Sequence, residues 1–358
     1  MGGNVMKISF VLPKPTFGIM GGYKIVYEYA NRFIEKGNEV SIFYDMNKCA
    51  TRGKIPTILY LLLGKIVAYI EPSWFAVNKK ITKKAVYEIC DSTVKDSDVV
   101  IATAVTTAMK VAYLSENKGK KYYLIQDFEN WIYDDDRVYD TYNYKGITNI
   151  VISKYLKHIV TEHSNNCVEY IPNGIDFEDL KIKVEPRKRA KLSIAFLYHS
   201  AELKGTQYTI KVLEILKKKY PDLEACCFGS CDNTEDLPKW ISYKKNANRK
   251  DVLEILNNAS IFICSTINEG FGLTGAESMA CGCALATTSY PAVFEYAVDK
   301  KNCLVSPVKD IKKMAENVSY LIENDEARIR IAETAAKDIR KLDWDKSVNR
   351  MLELFSSN

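Results

Sequence analysis

The chain has 358 residues, 47% of them apolar and 27% charged, with a net charge of +5 from 50 basic and 45 acidic side chains. That length suggests about two domains with sizeable cores, and the composition is that of an ordinary globular protein. A charge excess this small argues against a nucleic-acid binder, which needs a concentrated basic face.

In chain order, "KISFVLP" at 7–13 reads as a buried strand, and the next segment places Ile25, Val26, Tyr29, Ala30, Phe33 and Ile34 on one helical face. Gly37 ends that helix and "EVSIFYD" resumes as a strand, leaving "KPTFGIMGG" as the intervening loop. The glycines Gly18, Gly21 and Gly22 do not match G-x-G-x-x-G, so a dinucleotide site is not expected there.

Between Lys54 and Lys84, six lysines face the single acid Glu71, alongside Leu61, Leu62, Leu63, Ile66, Trp74 and Phe75. This combination suits an anionic membrane surface; its plainer reading is a core helix with solvated lysines. The longest apolar run, 55–70, is broken by Gly64 and Lys65 and falls short of the roughly 20 residues that span a bilayer. Residues 1–12 carry no secretory leader. The expectation is a cytoplasmic chain, peripheral at the inner membrane face through residues 54–84.

Short β-rich runs follow at "DVVIAT", "KYYLIQ", "NIVISK" and "VEYIPN", separated by helical stretches, as parallel strands with crossovers require. After "KYYLIQ" comes Asp127, a candidate for orienting a substrate hydroxyl or for capping the strand end. Asp134, Asp135 and Asp136 read as a solvated loop, with metal binding as the minor alternative. Lys181–Lys191, lysine-rich and containing Pro186, reads as an interdomain connection.

The pattern then restarts with strand "LSIAFLYHS", helix "TQYTIKVLEILKKKY", strand "LEACCFG", helix "RKDVLEILNNA", strand "SIFICS" and, after the segment at 268–282, strand "ALATTS". Two consecutive α/β halves with doubly wound parallel sheets are implied. The ten cysteines form no paired CxxC sets and are expected as buried thiols.

"NEGFGLTGAESMACG" at 268–282 follows "SIFICS" where a ligand binds in such sheets, beyond the strand's carboxyl end. It turns through Gly270 and Gly272 and enters a helix that Gly282 can cap. The helix's first-turn amides can take a diphosphate. Glu277, a turn inside the helix, and Glu269, at the crevice rim, can clamp vicinal sugar hydroxyls. A nucleotide-sugar site needs this combination; the plain alternative is a capped helix with a surface acid.

"EGFGLTGAE" is similar to the E-x7-E motif of retaining glycosyltransferases with the GT-B fold, and "ESMACGCALATT" resembles the segment that follows it in glycosyltransferase family 4. The resemblance extends to "YIPNGIDFEDL", "LPKWISY", "EYAVDKKNCLVSPVKD", "KLDWDKSVNRMLELF" and the N-terminal "GGYKIVYEYANRFIEKGNEV". It implies two Rossmann-like domains facing a cleft: 1–175 on the acceptor side, 176–340 for the nucleotide sugar, and 341–358 as a helix crossing back to the first. It implies that Glu277 holds the ribose, Glu269 the transferred sugar, and the backbone at Gly270, Phe271, Gly272 and Leu273 the sugar and diphosphate. The Gly21–Gly22 loop would face the cleft.

In place of the family's G-R-x4-K-G, "YHSAELKG" keeps Lys204 and Gly205 but has His199 where Arg is usual. A histidine cannot supply the permanent bidentate fork of Arg, so Arg249 is a candidate second cation for the diphosphate. The implied activity is retaining transfer of a hexosyl or deoxyhexosyl group from a nucleoside-diphosphate sugar to a glycan or lipid-linked acceptor, without bound metal or other cofactor. The alternatives are a hydrolase or epimerase on the same fold, and a non-catalytic nucleotide- or glycan-binding partner of a synthase.

Overall fold

The computed structural model describes residues 5–47 and 57–357, so positions 54–56 of the basic apolar segment lie outside the described residues. The chain separates into two compact units, Met1–Pro172 with Ser347–Asn358, and Asn173–Lys346.

The first unit runs β1 (Lys7–Leu12), α1 (Gly21–Glu35), β2 (Glu39–Asp45), α2 (Thr57–Ile70), β3 (Thr82–Val86), β4 (Val99–Ala102), α3 (Val105–Ala112), β5 (Lys120–Ile125), α4 (Asp135–Thr141), β6 (Ile147–Val151), α5 (Lys154–His163) and β7 (Val168–Tyr170). Its strands pair in parallel in the order β3-β2-β1-β4-β5-β6-β7. The central strands are covered on both faces, which matches the unbroken burial of Ile8–Leu12 in β1 and of all of β4. Helix α1 buries Ile25, Val26, Tyr29, Ala30 and Phe33, as its 3.6-residue period requires.

The second unit runs β8 (Ser193–Leu197), α6 (Thr206–Lys219), β9 (Glu224–Gly229), β10 (Ile241–Lys245), α7 (Arg249–Asn258), β11 (Ile261–Cys264), α8 (Leu273–Ala280), β12 (Ala284–Thr288), β13 (Cys303–Ser306), α9 (Ile311–Glu323) and α10 (Asp325–Asp338). The strand order is β10-β9-β8-β11-β12-β13, again parallel. The last helix, α11 (Trp344–Ser356), belongs to the first unit from Ser347 onward and there sets Phe355 against Phe33 and Tyr122, with ring centroids 6.0 and 4.9 Å apart.

Three strands escaped the sequence reading. β3 is an edge strand reading "TKKAV", and charged edges discourage further pairing while hiding the apolar alternation that marks a strand. β10, another edge strand, ends in two lysines, and β13 has only four residues. Lys181–Lys191 lies inside the second unit and is not the connection expected from its composition.

Each sheet reverses its winding beside its first strand, between β1 and β4 in one and between β8 and β11 in the other. The carboxyl ends at these reversals diverge into opposite crossovers and leave a crevice for ligand.

Candidate functional site

At the second reversal point, β8 leads into the loop carrying His199 and Lys204, and β11 leads into the loop carrying Glu269. Gly205 sits between them with φ +69°, and a Cβ there would lie 1.8 Å from the Ser265 carbonyl oxygen. Only glycine lets the two loops approach so closely. Gly205 also starts α6, without a side-chain cap.

Gly272 precedes α8 in the left-handed region, φ +85°, and a Cβ there would fall 1.8 Å from the Tyr290 hydroxyl. Beneath it the Tyr290 and Tyr296 hydroxyls meet at 2.7 Å, and Tyr296 donates to the Gly272 carbonyl at 2.8 Å. Burial raises both phenols well above their ordinary value, so they stay protonated donors. Both turn glycines were expected to need unusual angles, but Gly270 is not in the left-handed region; Gly272 alone bears that constraint.

Helix α8 has no side-chain cap at its N-terminus, and its first internal bond is the long Ala276 N–H to Gly272 O contact of 3.4 Å. The amides of Leu273, Thr274 and Gly275 therefore have no partner within the helix and carry its positive end.

Both glutamates are buried, at 8% exposure each, so Glu269 is not the rim residue the sequence suggested. One Glu269 oxygen accepts from the Thr266 hydroxyl at 2.9 Å and the other pairs with Lys204 Nζ at 3.1 Å. Thr266 was not found by sequence reasoning; its hydroxyl turns a loop acid into a fixed one.

Glu277 Oε1 accepts from Arg249 Nη1 at 3.2 Å. The same guanidinium lies 3.9 Å from Asp176 and 3.4 Å from Asp179. Arg249, the second cation candidate from the sequence, thus stands at Glu277, while Lys204 stands at Glu269. Charges this deep are tolerated because they are paired.

His199 is half-buried, and burial, followed by the nearby Lys204 charge, lowers its pKa, with Glu269 opposing. Its Nδ1 accepts the Ala201 amide at 2.9 Å, which places the proton of the neutral ring on Nε2. The ring is thus a neutral donor where a permanent cation is usual.

In the first unit, Gly21 and Gly22 open α1. A Cβ on Gly22 would touch the Gln126 amide at 3.5 Å, which sets this turn beside the end of β5, where Asp127 follows. Asp127 Oδ1 accepts its neighbour's amide, Phe128 N–H, at 2.9 Å. Glu129, which sequence reasoning passed over, accepts the Val105 amide at the start of α3 at 2.6 Å. Burial pushes its carboxyl up to about 7, the Val105 bond opposing and the Asp127 charge adding. Asp134 caps α4 through the Arg137 amide at 3.0 Å, and Asp135 accepts from Asn130 at 3.0 Å.

Helix α2 turns its small residues inward and its large ones outward. Gly64 and Ala68 are buried, and a Cβ on Gly64 would collide with Met46. Ile58, Leu59, Leu62, Leu63, Ile66, Tyr69 and Ile70 are exposed, Tyr69 by 84%. Lys65, Lys79, Lys80 and Lys84 are exposed along the same segment. Lys83 caps the end of α2, donating to the carbonyls of Tyr69 and Glu71. No helix among the described residues is long and apolar enough to cross a membrane.

Residues 178–338 match the model of a family described as glycosyl transferases group 1. A Campylobacter jejuni N,N'-diacetylbacillosaminyl-diphospho-undecaprenol alpha-1,3-N-acetylgalactosaminyltransferase is 30% identical over 126 residues, 35% of this chain and 33% of that protein. A Mycolicibacterium smegmatis phosphatidyl-myo-inositol mannosyltransferase is 22% identical over 227 residues, 60% of this chain and 58% of that one. The chain spans about half the length of the curated relatives it matches, or less. Among solved structures, Anabaena HepE in complex with UDP superposes with a TM-score of 0.76 at 13% identity, covering 99% of this chain and 100% of that one. The shared architecture is the GT-B fold.

Proposed function

From a chain whose residues 178–338 match the group 1 glycosyl transferases and which carries the GT-B fold, we propose a retaining glycosyltransferase that moves a hexosyl or deoxyhexosyl group from a nucleoside-diphosphate sugar to a glycan or lipid-linked acceptor. One observation supports it most: two buried carboxylates, each held by its own cation, flank the uncapped start of α8 at the reversal point of the second sheet.

In this reading Glu277, steadied by Arg249, accepts the ribose hydroxyls, and Glu269, steadied by Thr266, accepts hydroxyls of the transferred sugar. The leaving diphosphate gathers its charge on Lys204 and the α8 amides, which are preorganised for it. His199 adds one neutral donor. No metal is needed for that stabilisation, so activity should persist in EDTA. Asp127 orients a hydroxyl near the reacting sugar. The names of relatives that act on undecaprenol-linked and phosphatidylinositol acceptors, together with the outward apolar face of α2, favour a lipid-linked acceptor met at an anionic bilayer. The chain would then work as a peripheral protein at the cytoplasmic face.

Calorimetry with UDP, GDP and dTDP tests the donor site; UDP comes first because the HepE and TarM structures hold it. Binding of one nucleotide, weakened in Glu277→Ala, supports the clamp; equal binding by the folded variant overturns it. Acceptor-dependent nucleotide release separates a transferase from a hydrolase, an epimerase or a non-catalytic partner.

A further inference from the structure

Arg189 lies in the lysine-rich stretch that composition suggested was a connection, yet it is only 6% exposed. Its guanidinium donates from Nη1 to the carbonyls of Leu256 and Ala259 at 3.0 and 2.8 Å, and from Nη2 to the carbonyl of Cys281. Nε and Nη2 both reach the Val184 carbonyl, at 3.0 and 2.8 Å, and Nη2 also reaches Asn257 Oδ1 at 3.4 Å. All these acceptors are uncharged.

The choice of carbonyls has a pattern. Ala259 is the C-cap of α7 and Cys281 the C-cap of α8. Final-turn carbonyls lack partners within their helices and carry the negative ends of the helix dipoles. One buried cation therefore serves two helix ends at once. The stretch that bears it is strapped to α7 by Asn257, which accepts the Lys183 and Val184 amides at 2.6 and 3.1 Å and donates to the Lys181 carbonyl at 3.1 Å. Packing is tight: a Cβ on Gly282 would lie 3.2 Å from Arg189 Nη2.

The two helices also touch where Arg249, in the first turn of α7, contacts Glu277, in the last turn of α8, at 3.2 Å. A helix of ten residues is a rod of about 15 Å, so a shift at its last turn is carried to its first. We propose that Arg189 is a positioning residue for the donor site: by clamping the C-termini of α7 and α8 together it sets the axial offset at which Arg249 and Glu277 pair. The inference concerns the clamp that the proposed function assigns to the ribose, and rests on that assignment for its effect on ligand.

Arg189→Lys keeps the charge but cannot span both helix ends with a planar five-donor fork. Crystal structures of wild type and R189K give the first readout. The expected result is an Arg249–Glu277 separation lengthened beyond ion-pair distance in R189K; an unchanged pair overturns the proposal. The second readout is a double-mutant cycle on the dissociation constant of whichever of UDP, GDP and dTDP binds wild type, using R189K, R249Q and the double variant.

R189K should bind about 5- to 10-fold more weakly, and the double variant no more weakly than R249Q. Losses that multiply, or an affinity unchanged while only Tm falls, would show a structural role alone and overturn the proposal. Should R189K fail to fold, Asn257→Ala loosens the strap more gently and is expected to weaken binding about 3-fold with the same non-additivity. If wild type binds no nucleotide, the proposed function fails, while the Arg249–Glu277 separation still decides the role of Arg189.

Discussion

Around the β8–β11 reversal the chain sets two buried carboxylates against half-buried cations, Glu269 with Lys204 and Glu277 with Arg249, beside bare helix amides. The first unit has the same kind of reversal between β1 and β4, but its notable groups are a glycine turn against Gln126 and a carboxyl, Glu129, titrating near neutrality. Its outer surface differs too, since it carries the exposed leucines and isoleucines of α2 together with Phe17 and Trp131. Doubly wound sheets fix where a ligand sits, and side chains at the loops decide what it is. The second unit gathers paired charges and helix amides at its reversal; the first offers an apolar surface.

Removing the clamp should break that contrast most strongly. A charge-assisted hydrogen bond of roughly 1.5–3 kcal/mol predicts that Glu277→Ala binds nucleotide about 10- to 150-fold more weakly. Asp127→Ala should leave nucleotide binding unchanged and lower kcat at saturating donor. A drop in nucleotide affinity for Asp127→Ala would erase the division between the units.

Gly272→Ala comes next. It forces a Cβ onto the Tyr290 hydroxyl in a left-handed backbone, which should cost about 1–3 kcal/mol by denaturant unfolding. Unchanged stability would mean that the tyrosine pair does not brace the loop.

For the first unit, Leu62→Ser should reduce sedimentation with anionic vesicles about 10-fold at low salt, as loss of one buried leucine predicts. Its folding stability should stay within about 0.5 kcal/mol of wild type, because the position is exposed. Vesicle binding that is absent in wild type, or unaffected by the change, would remove the membrane from the account of α2.

The smallest effect is a slope. Burial raises the Glu129 carboxyl from its ordinary 4.5 to about 7 in the fold, so between those values the folded chain holds more proton than the unfolded one. The stabilisation from its neutral form is complete below about pH 4.5 and is lost as pH rises through about 7. Glu129→Gln should flatten this part of the Tm–pH curve; an identical curve would place Glu129 in water.

The local pattern foretold the parallel α/β halves, the burial of α1, the loop between β11 and α8, and the pair Glu269 and Glu277, because period, glycine spacing and strand ends are properties of contiguous residues. Folding decided that Arg249 stands with Glu277 and not with Lys204, that Tyr290 and Tyr296 brace Gly272, that a lysine-rich stretch delivers Arg189 beneath two helix ends, and that α2 faces outward. Each of these depends on groups remote in the chain being brought within a few ångströms, where hydrogen bonding and desolvation, and no local preference, set the arrangement. Contiguous sequence therefore marked out the candidate site, and long-range packing assigned its charges their partners.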